Sequence, residues 1–163
     1  MMAAMAENSI EIKAVDCIRD ERVRSILQKI DAYQREVYPD DSNGISSDDV
    51  LTLDNLTLYG AFEGDHLYGL GAIIYHQDYG EMKRLYVDKR ARGKGVANLL
   101  LKKREEIMRQ HGYKIARLET GIHQAAAIKL FKKRGFIEVK RFGSYNDDPL
   151  SVFMEKDLTQ TIH

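Results

Sequence analysis

Arg92-Gly93-Lys94-Gly95-Val96-Ala97 is the stretch whose reading decides this chain. It lies between a strand-like apolar run, Glu81 to Asp88, and a helix-like one from about Gly93 to Gln110. A turn with two glycines at a helix start leaves several backbone N–H groups unpaired and unshielded. Such groups bind phosphate oxygens, helped by the helix dipole. The stretch therefore reads as a phosphate cradle. It is not a Walker loop, which needs a Gly separated by four residues from a Gly-Lys pair and then Ser or Thr. Here position 88 is Asp88, and Lys94 is followed by Gly95. A dinucleotide fingerprint asks for a third small residue three places after the second glycine. Position 98 is Asn98, and no early βαβ unit precedes it.

Working outward, Ile10, Ile12 and Ala14 alternate with polar residues, which predicts a first strand. Val23, Ile26, Leu27, Ile30, Tyr33 and Val37 recur at helical spacing and predict an amphipathic helix that ends before Pro39. Tyr38 to Asp49 is polar and turn-rich around Asn43-Gly44. Leu56 to Glu63 and Leu67 to His76 read as strands of a hairpin turning at Gly64-Asp65. Beyond the cradle, Val96, Leu99, Leu100, Ile107 and Met108 give the next helix an apolar face, and Gly112 closes it. Lys114 to Thr120 reads as a strand, Ala126 to Phe131 as part of a short helix closed by Gly135, and Phe136–Lys140 and Ser151–Lys156 as final strands. Strands and helices mix in the manner of an α/β domain.

The chain has 163 residues, enough for one domain with a sizeable core. The expected organisation is a loose leader over 1–9 and one domain over 10–163. Lysine plus arginine equals aspartate plus glutamate at 25 each, so no overall field attracts nucleic acid or an anionic membrane. A single cysteine, Cys17, excludes an intramolecular disulfide and fits a reducing compartment. No apolar run reaches membrane-spanning length, and the first nine residues lack the basic and long apolar parts of a signal peptide. The expectation is a cytoplasmic protein with no membrane and no nucleic-acid partner. The five histidines show no ligand spacing, so no metal is expected. Lys102-Lys103-Arg104 and Lys132-Lys133-Arg134 are read as solvated helix faces.

Three motifs carry a resemblance. Arg92-x-x-Gly95-x-Ala97 after a strand resembles the pyrophosphate loop of the GNAT superfamily of N-acetyltransferases. Ala127-Ile128-Lys129-Leu130-Phe131 followed by Gly135-Phe136 resembles that family's Ala-Ile-x-Leu-Tyr helix and its Gly-Phe strand. Tyr145-x-x-Asp148-Pro149-x-Ser151-Val152-Phe153-Met154-x-Lys156, with Leu118-Glu119-Thr120-Gly121 and Tyr38-Pro39-x-x-Ser42, looks like one bacterial subgroup. The resemblance spans about Ile10 to Leu158. It implies a central mixed, largely antiparallel sheet flanked by helices, with parallel strands four and five splayed apart. It implies acetyl-coenzyme A as cosubstrate, its pantetheine inserted in the splay against the backbone of Leu85, Tyr86 and Val87. Backbone N–H groups from Arg92, Gly93, Lys94, Gly95, Val96 and Ala97 would hold the pyrophosphate. Gln124 stands where the family often has a pantetheine-contacting Asn, and Phe131 where it has a tyrosine beside the thiol.

The implied reaction is direct attack of a primary amine on the acetyl thioester. An alkylammonium pKa of about 10.4 lies about 3.4 units above pH 7, so deprotonation costs roughly 4.6 kcal/mol and a base is useful. The resemblance implies Glu81 as that base; the alternative is an exposed strand carboxylate paired with Lys83 or Arg84. Phe131 cannot protonate the thiolate, which leaves Tyr145 as the substitute acid, or an unassisted thiolate of pKa about 8.5. The family places its acceptor pocket between two loops that here hold Tyr38, Asp41, Ser42, Tyr145 and Asp148. These carboxylates suit a cationic acceptor, unless they only cap turns. The leading expectation is a small-molecule amine acceptor. A protein lysine acceptor and a non-catalytic acyl-coenzyme A sensor are the alternatives, and a homodimer is a family expectation.

Overall fold

Local sequence explains each element of the computed structural model, which describes residues 9–39 and 53–160. Alternating Ile10–Val15 forms strand β1. Asp20 caps the following helix, its side chain accepting from the Arg22 backbone N–H. That helix, α1, runs Glu21–Val37 and stops where Pro39 can no longer donate. β2 (Leu56–Glu63) and β3 (His66–Tyr75) form the hairpin, turning through Gly64 at φ +59°. β4 is Gly80–Val87. A single 3-10 turn at Lys89–Ala91 follows, and helix α2 begins only at Val96 and ends at Gln110. The two glycines thus lie in the turn expected of them, and the helix begins three residues later than the Gly93 start of the sequence reading. β5 (Ile115–Gly121), α3 (Ala125–Lys133), β6 (Ile137–Val139) and β7 (Ser151–Asp157) complete the chain.

Among the described residues the strands form one seven-stranded sheet in the order β1-β2-β3-β4-β5-β7-β6. Every pair is antiparallel except β4 with β5. The two faces bury different helices. α1 sets Val23, Ile26, Leu27 and Ile30 against Leu58, Leu70 and Ala72. On the opposite face α2 and α3 set Leu101, Met108 and Phe131 against Ile73, Met82, Leu118 and Met154. Each such fully buried side chain contributes about 1.5–3 kcal/mol, so the strand alternation is strongly held.

Two irregularities prepare the site. β4 and β5 pair only through Gly80–Ala116, Glu81–Arg117 and Met82–Leu118, and then diverge as β5 continues along β7. A fork therefore opens beyond Met82. On its other edge β4 pairs Lys83 with Ala72 and Tyr86 with Leu70, so β4 carries one extra residue, a bulge. Arg104 of α2 fills the space beside it. Its guanidinium is fully buried, donates to the carbonyls of Ala72 at 3.0 Å and Lys83 at 3.3 Å, and lies where a Gly71 side chain would stand. The solvated-face reading of Lys102-Lys103-Arg104 fails at Arg104 alone, since Lys102 and Lys103 are exposed. The neighbouring Glu105 is buried too, taking Lys156 and, at 3.2 Å, Arg134. A hydrophilic triplet had concealed an inward-facing cation.

Candidate active site

The site is built where the fork meets the start of α2. Asp88 accepts from the Arg90 backbone N–H and pairs with its guanidinium, which pulls the Asp88 carboxyl down to about 2 and fixes the first turn after β4. Gly93 (φ +90°) and Gly95 (φ +76°) then take left-handed conformations that side chains resist. Nothing lies within 4 Å of a Cβ built on either glycine, so backbone conformation, not crowding, calls for glycine here. No side chain caps α2, which leaves the N–H groups of its first turn open to an anion. Lys94 lies over the Tyr68 ring at 5.0 Å, and Arg92 is exposed. Val96 is buried against Leu100 and Ala61, holding the helix start on the sheet.

On the face of the fork opposite α2, a polar network closes over the sheet. Alternation puts Met82 and Leu118 in the core beneath α2, and so turns Glu81, Lys83 and Glu119 to the other face. Glu81 is only 3% exposed, which removes the reading of it as a surface carboxylate. His76 Nε2 lies 2.8 Å from its Oε1, and the Tyr145 hydroxyl donates to its Oε2. Lys83 donates to the Tyr145 oxygen and stands 3.8 Å from Glu81. Burial, with Glu81 beside it, pushes the Tyr145 phenol far above its usual range, so it acts as a neutral hydrogen-bond donor. Phe142 and Phe153 pack edge-on against the Tyr145 ring and hold the Lys140–Leu150 segment in place. The structure thus brings together Glu81 and Tyr145, far apart in sequence.

The remaining expected residues separate. Tyr38 is 3% exposed; its hydroxyl accepts from the His123 backbone N–H at 3.2 Å and sits where a Gly121 side chain would be. It ties the end of α1 to the end of β5. Asp148 Oδ1 accepts from the Leu150 N–H at 2.9 Å and so shapes its turn. Gln124 precedes α3 without capping it by its side chain. The Phe131 ring is buried in the core against Phe136, away from solvent. The backbone of Leu85, Tyr86 and Val87 runs along the open side of the fork. Asp41 and Ser42 lie outside the described residues. The sequence reading overlooked His76, Lys83, Glu119 and Ser151 as site residues. The signal available was the strand alternation itself, which aligns Glu81 with Lys83 and Arg117 with Glu119. Among the described residues no group of three or more His, Cys, Asp or Glu could hold a metal ion, and no helix is long and apolar enough to cross a membrane.

Comparison with known proteins bears on this geometry. The profile of the Acetyltransferase (GNAT) family matches residues 21–136. An IAA acetyltransferase from Azospirillum brasilense is 36% identical over 138 residues, covering 83% of this chain and 90% of the relative. A protein described as an acyl-CoA N-acyltransferase from Klebsiella pneumoniae shares the fold at a TM-score of 0.76 and 32% identity, over 91% of this chain and 97% of its own. The PaiA N-acetyltransferase of Thermoplasma acidophilum, solved with coenzyme A, superimposes at a TM-score of 0.69 with 20% identity, over 91% and 99% of the two chains. That last likeness concerns the fold alone.

Proposed function

Since the chain belongs to the GNAT acetyltransferase family and is an N-acetyltransferase, we propose that it acetylates the primary amine of a small molecule by direct attack on acetyl-coenzyme A. One observation carries the reading: the β4–β5 fork has an open backbone edge ending at an uncapped helix start on one side, and a buried acid–tyrosine network on its acceptor face. The cradle residues fit a pyrophosphate, because glycines at positive φ and free first-turn N–H groups admit an anion closely. Backbone groups of Leu85, Tyr86 and Val87 would bind the pantetheine amides, and those from Arg92 to Ala97 the pyrophosphate. Hydrogen bonds to charged groups contribute about 1.5–3 kcal/mol each, so three or four account for much of the affinity. Bound there, acetyl-coenzyme A supplies the activated acetyl group and a thiol leaving group.

The chain's own residues would manage the protons. The ammonium must lose one proton before attack, and the attacking nitrogen loses a second as the thiolate departs. In this proposal the Tyr145 hydroxyl accepts the first proton while passing its own to Glu81, so a phenolate never persists. That fits a phenol whose ionisation burial disfavours. His76, with a side chain 34% exposed, links the nearly inaccessible Glu81 to solvent. The second proton neutralises the thiolate, and in this proposal the Tyr145 hydroxyl carries it. Tyr38 and Asp148 serve the acceptor pocket as walls: one locks α1 to β5, the other shapes the 145–150 turn. Replacement of the family's tyrosine by Phe131 does not by itself argue for a non-catalytic sensor, because this ring belongs to the core.

The test is thiol release from acetyl-coenzyme A across a panel of small amines, with wild type and Glu81→Gln run side by side. Turnover of one amine class, reduced by about 10²–10⁴-fold in the variant, is expected. Cofactor binding without turnover on any amine would overturn the reading.

A further inference from the structure

We propose that Glu119 is the acceptor-recognition residue of this site, and that it selects acceptors carrying a positively charged ammonium group over neutral amines of the same shape. The inference rests on the acetyl-transfer reading and names the charge class of its acceptor. It begins with register. The last β4–β5 pair is Met82 with Leu118, so Lys83 and Glu119 are the first residues to face one another across the opening fork. Both side chains lie on the acceptor face with Glu81. Lys83 is the nearest cation by position, yet its ammonium is given to Tyr145 and Glu81. The hydrogen bond on Glu119 comes instead from a neutral hydroxyl, Ser151 Oγ to Oε2 at 2.7 Å. Among the described residues no ammonium or guanidinium forms an ion pair with it, and the Ser151 bond engages Oε2 and not Oε1.

A partly buried carboxylate left in this condition is costly. Burial raises the Glu119 pKa despite the Ser151 hydrogen bond and the field of Lys83, with Glu81 and Asp148 adding to the rise. An ammonium placed at Oε1 reverses that cost and has a further N–H to direct at the Tyr145 oxygen. Glu119 faces Lys83, the residue that donates to Tyr145, across the fork, and its Ser151 partner opens β7, so it stands beside the proposed proton relay. Aniline and benzylamine then become a matched pair: similar bulk, but only benzylamine is cationic near neutral pH. The site would hold the second and reject the first.

The experiment is calorimetric titration of benzylamine and of aniline into the protein saturated with coenzyme A, for wild type, Glu119→Gln and Ser151→Ala. Wild type is expected to prefer benzylamine by about 10-fold or more, in line with a hydrogen bond to a charged group. Glu119→Gln should abolish the preference and leave coenzyme A affinity unchanged, which also certifies the fold. Ser151→Ala, which frees Glu119 to turn, should weaken the preference and supplies the test if Glu119→Gln does not bind coenzyme A. A preference that survives both substitutions, or no benzylamine binding by wild type, overturns the proposal. Thiol release by wild type on the same amines separates the two readings. Binding with the expected preference but no thiol release on any amine of the panel would sink the small-amine acceptor reading while sustaining the recognition role.

Discussion

Replacing Arg104 by Met tests how the core shapes the cofactor edge. The guanidinium is fully buried and donates to the Ala72 and Lys83 carbonyls flanking the β4 bulge. With Nε donating to the Leu100 carbonyl at 3.1 Å as well, the three hydrogen bonds from this charged donor contribute about 1.5–3 kcal/mol each, or about 4.5–9 kcal/mol together. Burial opposes this, lowering the Arg104 pKa to about 10, which is roughly 3 kcal/mol against the charged form. The Arg104→Met variant should therefore lose about 1.5–6 kcal/mol, less than the hydrogen bonds alone would suggest. Gly71→Ala reaches the same contact from the sheet, since its Cβ would stand 2.6 Å from Arg104 Cζ. In the R104M background that clash is gone. The two costs should be non-additive by about 0.5–3 kcal/mol. Urea unfolding gives the stabilities and calorimetry the coenzyme A affinity, which should weaken about tenfold as the bulge relaxes. Additive losses, or an unchanged coenzyme A affinity in Arg104→Met, would refute the idea that Arg104 sets the bulge.

Other substitutions probe the loop and the acceptor face. Gly95→Ala puts a side chain at φ +76°, costing about 1–2 kcal/mol of strain and about 2–8 °C in Tm; acetyl-coenzyme A affinity should fall by more than this strain alone. A melt that moves with unaltered affinity would remove the cradle role. Tyr145→Phe should lower kcat by about 10²-fold and leave coenzyme A binding intact, because it removes the hydroxyl that meets Glu81 and Lys83 and keeps the ring; an unchanged kcat would exclude the relay. Glu119 has a raised pKa in the folded chain, so its contribution is fully present below its unfolded value of 4.5 and is lost as pH rises through the folded value. Glu119→Gln should accordingly melt higher than wild type at pH 7 and alike near pH 4, as scanning calorimetry would show; a lower melt at pH 7 contradicts the electrostatics.

What the sequence disclosed followed physical locality. Apolar periodicity marked every described helix and strand to within a few residues, because α1 and the two sheet faces bury whole stripes such as Val23, Ile26, Leu27 and Ile30. The turn ahead of α2 was legible because two glycines at positive φ are a local requirement. The start of α2 was set three residues early, because the glycine turn at positive φ runs on to Val96 before the helix begins. Arg104 and Glu105 were illegible: a charged pair in a hydrophilic run reads as surface until a facing glycine and a buried Lys156 are known. Glu81 was singled out by resemblance, but its partners come from the turn before β4 and from the 145 loop. Glu119 was quoted within a motif and given no role, because its importance depends on where β4 and β5 part. That point is a property of pairing, not of composition.

Backbone amide hydrogen exchange, measured with and without acetyl-coenzyme A, tests the central claim most directly. The account predicts new protection in two short segments, Leu85 to Val87 along the fork and Gly93 to Ala97 at the start of α2. The rest of the sheet should change little. Protection confined to other segments, or none at saturating acetyl-coenzyme A, would contradict the placement of the cofactor in the fork and the mechanism built on it.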